Sequence, residues 1–206
     1  MLFPERGLRV SWSFWLLVLA AALVSPLPLL ASLLLAAALH ECGHLLALRA
    51  FRVPVEGLRL TALGAALYAR GARRLSYGRE LLVTLAGPAA NILCGFLTAL
   101  LALRLAWPDG FVFAGAHLVL AAFNLLPVPP LDGSRALYLV TARLFGPLVG
   151  DAAAAVVGAL CALALTLAGL YLGAVTGGGW FFLLAALPLL IGALPQLRLA
   201  KNAARV

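Results

Sequence analysis

Apolar residues run along this chain in long, nearly unbroken blocks, and polar residues gather in the short intervals between them. An α-helix needs about 20 apolar residues to cross the hydrocarbon core of a bilayer. Stretches that meet or approach that length are Val10–Ser25, Pro28–Ala50, Leu81–Ala106, Gly110–Pro127, Asp151–Val175 and Trp180–Leu197. The first is short and stops at Pro26 and Pro28. Arg6 and Arg9 ahead of it give the outline of a secretory signal peptide, but no small-x-small cleavage site follows. Val55–Tyr68 is too mixed for a further span, and its partial alternation predicts a short strand or hairpin dipping into the inner leaflet. No internal repeat, low-complexity tail or appended soluble domain interrupts this pattern. It predicts an all-α polytopic membrane protein, residues 1–206 forming one membrane-embedded domain. That domain has about six transmembrane helices and a membrane-associated strand or hairpin after the second.

Composition agrees with lipid as the solvent. Of 206 residues, 65% are hydrophobic and 11% charged, against about 45–50% and ~25% in a soluble domain. One core of this size cannot hide such an excess. The net charge of +8 does not point to nucleic acid, because the arginines form no basic face interleaved with aromatics. They mark orientation instead. With a cytoplasmic N-terminus, Arg6, Arg9, Arg52, Arg59, Arg70, Arg73, Arg74, Arg79, Arg135, Arg143, Arg198, Lys201 and Arg205 all fall inside. Arg49 lies near that face, and of the 15 basic residues only Arg104 lands outside. Both termini are therefore expected in the cytoplasm. Cys42, Cys94 and Cys161 lie in apolar stretches without CxxC spacing and read as small buried hydrophobes.

Against this apolar background, Leu39-His40-Glu41-Cys42-Gly43-His44-Leu45 stands out. Residues four apart on a helix share a face, so His40 and His44 can reach one metal ion, with Glu41 beside it as general base. A short HExxH pattern recurs by chance in soluble sequences. Mid-bilayer, however, a charged carboxylate costs about 2.5–3.5 kcal/mol on insertion scales. Hydrogen bonding between helices is the structural explanation, and its typical return is about 0.6 kcal/mol per contact.

A catalytic zinc takes three protein ligands and leaves a position open. His117 is the one further intramembrane histidine, and Asp109, Asp132 and Asp151 stand near span ends. His44 lies roughly 10 Å from the inner end of its span at about 1.5 Å per residue. Asp132 follows a span that also runs inward, so it sits at the matching depth. Asp109 is at the outer face, and Asp151 opens a helix as an N-terminal charge. Asp132 is the predicted third ligand. The segment Asn124 to Gly133 around it holds three prolines that break the helix. Non-helical backbone at membrane depth is tolerated where it is buried or lines a cavity. The plainer alternative is a Pro-rich loop turning at Asp132-Gly133. Gly87-Pro88 and Asn91 interrupt another apolar helix, either to permit close packing or to place Asn91 toward substrate or the oxyanion.

Taken together, Leu39-to-His44, Gly87-Pro88-Ala89-Ala90-Asn91 and Asn124-to-Gly133 resemble the three signatures of the site-2 protease family of intramembrane zinc metalloproteases. Order and spacing match over roughly residues 8–195. The resemblance implies one zinc per chain on His40, His44 and Asp132, Glu41 as base, and Asn91 and Asn124 near substrate. It also implies an edge strand at Val55–Tyr68 that receives extended substrate. The compact six-span form is similar to the bacterial sporulation-type branch, which processes membrane-tethered transcription-factor precursors. Some of that branch carry a C-terminal nucleotide-sensing domain; with the chain ending after its sixth span, regulation by ATP is not expected here. His117 stands where relatives often have asparagine, and reads as a hydrogen-bonder behind the ligands rather than a fourth ligand.

The expectation is regulated intramembrane proteolysis in a bacterial cell membrane. Its partners would be the bilayer, a membrane-tethered substrate and a regulatory membrane protein, with no nucleic acid. Serine and aspartyl intramembrane proteases fit poorly, since GxSxG and GxGD are absent. The rival readings are a catalytically idle protein that binds membrane segments, which an intact Glu41 disfavours, and a metal-ion transporter using the same ligands.

Overall fold

Prolines and small residues set where the elements begin and how closely they pack. The computed structural model describes residues 7–61, 64–69, 75–176, 189–190 and 192. The chain divides into two compact units, residues 1–122 and 123–206.

In the first unit, β1 (Gly7–Val10) leads into α1 (Trp12–Val24) and α2 (Leu27–Ala50). Pro28 in the first turn of α2 has no interior hydrogen bond to lose there. β2 (Val55–Thr61) and β3 (Gly64–Ala69) follow, then α3 (Tyr77–Leu105) and all but the last two residues of α4 (Pro108–Asn124). The strands form one sheet in the order β1-β2-β3. β1 runs parallel to β2, with Val10 opposite Leu60, and β2 runs antiparallel to β3, with Leu60 opposite Ala65. In the second unit, α5 (Asp132–Phe145) is followed by α6 (Pro147–Thr176). Gly146, at φ 93°, supplies the positive-φ break between them. Val128 and Leu131 are buried with Ala162 of α6 and Leu189.

The long helices are polar or small inside and large outside. α3 buries Thr84, Gly87, Pro88, Asn91, Gly95 and Ala102, while Leu82, Ile92, Leu93, Phe96, Leu97 and Leu100 are exposed. α6 buries Gly150, Ala154, Gly158, Ala162 and Thr166 at every fourth position and exposes Leu160, Leu163, Leu167 and Leu170. Water would reverse this arrangement; lipid, as apolar as leucine itself, favours small residues at helix contacts. Among the described residues, α2, α3 and α6 are long and apolar enough to cross a membrane. The chain is an integral membrane protein with a largely helical, polytopic fold.

Several features depart from the sequence expectation. A further strand precedes the first helix, because Val10, expected to open the first span, pairs with Leu60 of β2 instead. α1 keeps 13 residues, a rise of about 20 Å against a hydrocarbon core of about 30 Å. α5 is a whole helix where sequence reading expected only an inside connection. It mixes Arg135 and Arg143 with a buried side of Gly133, Ser134, Leu139 and Ala142, so a search for uniformly apolar blocks passes over it. Cys42 is exposed rather than buried. The expected sixth span, Trp180–Leu197, falls outside the described residues except at 189–190 and 192.

Candidate metal centre

α2 carries His40, Glu41 and His44 about one turn apart. Both imidazoles are buried, with ring centroids 4.8 Å apart and planes at 79°. Their Nε2 atoms face each other at 3.1 Å. Two nitrogens on a tetrahedral zinc, each about 2.0–2.1 Å from the ion, stand about 3.3–3.4 Å apart. A shift of a few tenths of an ångström would therefore turn this pair into two ligands of one ion.

The helix behind them completes the setting. His44 Nδ1 is 2.8 Å from the Val83 carbonyl of α3. A carbonyl only accepts, so Nδ1 carries the proton and Nε2 keeps its lone pair. This is the usual outer bond of a metal-binding histidine, which fixes tautomer and ring direction. Gly87 explains how α3 comes close enough. A Cβ there would fall on Nε2 of His44 and lie 2.7 Å from Nε2 of His40. The residue is glycine because the two imidazole nitrogens occupy the space of a methyl group.

Asn91 is fully buried, one turn beyond Gly87 on the same face of α3. Its amide nitrogen lies 3.3 Å from His40 Nδ1 and its oxygen 3.0 Å from His117 Nδ1 on α4. Asn91, expected near substrate, is thus engaged by two histidines. Gly87 and the Val83 carbonyl were not expected at the site. Gly87 was legible only as a small residue, and a backbone carbonyl leaves no signal in a residue pattern. Glu41 is half-buried, on the turn that carries both imidazoles.

In the second unit, Asn124 ends α4 and Asp132 opens α5, both half-buried. The segment between them lacks three donors at Pro127, Pro129 and Pro130. It is held by Val128 N–H donating to Leu126 O at 2.8 Å and Leu131 N–H donating to Val128 O at 2.9 Å. A Cβ at Gly133 would fall on the Leu125 carbonyl, and one at Gly158 would lie 2.9 Å from the Pro127 oxygen. Asp132 therefore projects from a turn clamped on both sides, at a helix N-terminus that favours a carboxylate.

No protein-family model matches the chain. Rip3 of Mycobacterium tuberculosis, which carries a provisional zinc-metalloprotease name, is 33% identical over 195 residues, covering 84% of this chain and 46% of its own length. A zinc metalloprotease of Methanocaldococcus jannaschii is 27% identical over 137 residues, covering 64% of this chain and 40% of its own. The chain thus spans about half the length of the curated relatives it matches. A solved site-2 protease from Methanocaldococcus jannaschii superposes with a TM-score of 0.69 at 22% identity, covering 92% of this chain and 90% of that one. In fold, this chain is similar to a site-2 protease, and in sequence to zinc metalloproteases.

Proposed function

We propose that this protein is an intramembrane zinc metalloprotease of the site-2 type. In this reading it hydrolyses a peptide bond in or near a transmembrane segment of a membrane-tethered precursor. The observation that carries the reading is the facing pair of Nε2 atoms at 3.1 Å, with Glu41 on the same helical turn. Rip3 and the Methanocaldococcus protein, both named as zinc metalloproteases, support it from sequence, and the site-2 protease likeness supports it from fold. Placement in the compact sporulation-type branch rests on the predicted six-span pattern.

His40, His44 and Asp132 are the proposed ligands of one zinc per chain, and residues 1–206 the proposed single catalytic domain. Two imidazoles and one carboxylate form a donor set suited to zinc and leave a fourth position open. When bound, zinc supplies Lewis acidity, polarising the scissile carbonyl and lowering the pKa of a water toward about 7. Glu41 takes the proton of the attacking water and passes it to the leaving amine. Asn124, at the end of α4, is the proposed substrate contact. Substrate must unwind to be cut, because a transmembrane helix satisfies its own backbone. With the N-terminus cytoplasmic, cleavage falls toward the cytoplasmic side and releases an inward-facing domain in a bacterial cell membrane. A regulatory membrane protein is the further partner proposed.

The test is to measure metal content and cleavage side by side on purified variants. His44→Phe and Asp132→Asn are expected to lose zinc and activity together. Full zinc occupancy in Asp132→Asn would remove Asp132 from the ligand set. The idle-protein alternative predicts zinc binding with no turnover even in the unsubstituted chain.

A further inference from the structure

On the side of His40 turned from His44, buried side chains of α2, α3 and α4 are joined in series. His40 Nδ1, the Asn91 amide and His117 Nδ1 are linked by contacts of 3.3 and 3.0 Å. Asn91 and His117 are fully buried, and His117 Nε2 has no hydrogen-bond partner among the described residues.

The proton positions along this chain are coupled. His44 Nε2 bears a lone pair, because its Nδ1–H is given to the Val83 carbonyl. In one arrangement His40 Nε2–H donates to that lone pair across 3.1 Å. His40 Nδ1 then accepts from the Asn91 amide nitrogen, and His117 Nδ1–H donates to the Asn91 oxygen. In the other, His40 offers its own Nε2 lone pair beside that of His44, as a metal ligand must. Its proton then sits on Nδ1 and needs an acceptor. Turning the Asn91 amide by 180° places the oxygen there with almost no change of shape. The amide nitrogen now donates to His117 Nδ1, whose proton must move to Nε2. No proton is gained or lost; His40 and His117 each change the nitrogen that carries it, while His44 keeps its proton on Nδ1. The unpartnered Nε2 of His117 is what permits both arrangements, since a fixed donor or acceptor there would lock one tautomer.

Resting on the metal-binding reading above, we infer that Asn91 and His117 are positioning residues. They form a reversible relay that turns His40 Nε2 into a ligand when metal arrives. Neither touches substrate in this account.

The test reads the relay without proteolysis. The chain has three histidines, so ¹⁵N-histidine NMR in detergent resolves each ring. One equivalent of zinc should move the His117 proton from Nδ1 to Nε2, and an unchanged His117 tautomer would overturn the relay. Zinc affinity measured against a competing chelator should fall about 10–100-fold in Asn91→Leu and His117→Phe. Asn91→Asp supplies an acceptor that needs no turning, so adding His117→Phe to it should cost nothing further. Should that addition cost as much as it does beside Asn91, His117 is a packing residue only, and the inference falls. His44→Phe separates the two readings. If it binds zinc as the unsubstituted chain does, the metal centre itself is wrong. If it loses zinc while Asn91→Leu and His117→Phe do not, only the relay is wrong.

Discussion

At the scale of single residues, the site is governed by what fits beside two imidazoles. His40, Glu41 and His44 were legible in the sequence because a spacing of four on a helix fixes a shared face before any tertiary structure exists. Gly87 was not, because its role depends on how closely α3 approaches α2. Its missing Cβ would meet both imidazole Nε2 atoms, which makes Gly87→Ala a sharp test. The added methyl must displace the imidazoles or push α3 away, an overpacking cost of about 1–3 kcal/mol. Zinc affinity is expected to drop by at least the roughly 10–100-fold seen when outer-shell contacts are lost. Metal analysis alongside thermal unfolding would check this. Unchanged zinc occupancy in a folded Gly87→Ala protein would mean that the histidines do not bind metal in the arrangement seen here.

Among the elements, the long apolar helices were legible because lipid imposes a length and a composition that few other environments require. The sheet was half legible. Alternation in Val55–Tyr68 predicted a strand or hairpin, and β2 and β3 pair there. The parallel strand β1 was hidden, since four exposed residues carry no burial pattern. Its presence changes what β2 can do. Leu60 has Val10 on one side and Ala65 on the other, and its carbonyl accepts from Ser11 N–H at 2.9 Å. β2 is therefore the central strand, and a substrate strand would have to add at an outer one. Leu60→Pro should break the ladder rather than block substrate alone, because proline cannot donate a backbone hydrogen bond. Limited proteolysis should show faster cutting across 55–69 in that variant. Protection equal to that of the unsubstituted chain would contradict the three-stranded pairing.

For the whole molecule, distribution of charge and of side-chain size carries the account. Small and polar residues face inward on α3 and α6 while leucines face outward, so lipid is the solvent that the surface fits. The basic residues then predict an orientation, with both termini cytoplasmic. Reporter fusions at residues 75 and 108 should report cytoplasmic and external positions respectively. The opposite result would put His40 and Asp132 near the other face and undo the matched-depth argument for Asp132. What the sequence hid at this scale was the second unit's construction. α5 is amphipathic and short, and the proline segment before it is shaped by packing against α6 at Gly158, a contact that no local pattern encodes.

The central claim is that Glu41 moves a proton beside a zinc held by other residues. Glu41→Gln removes the base and leaves every proposed ligand in place. Zinc content and cleavage of a single-span, membrane-tethered precursor should be measured together on purified protein, with and without this substitution. The account predicts about one zinc per chain in both proteins and cleavage only in the unsubstituted one. Substantial turnover by Glu41→Gln protein would contradict it.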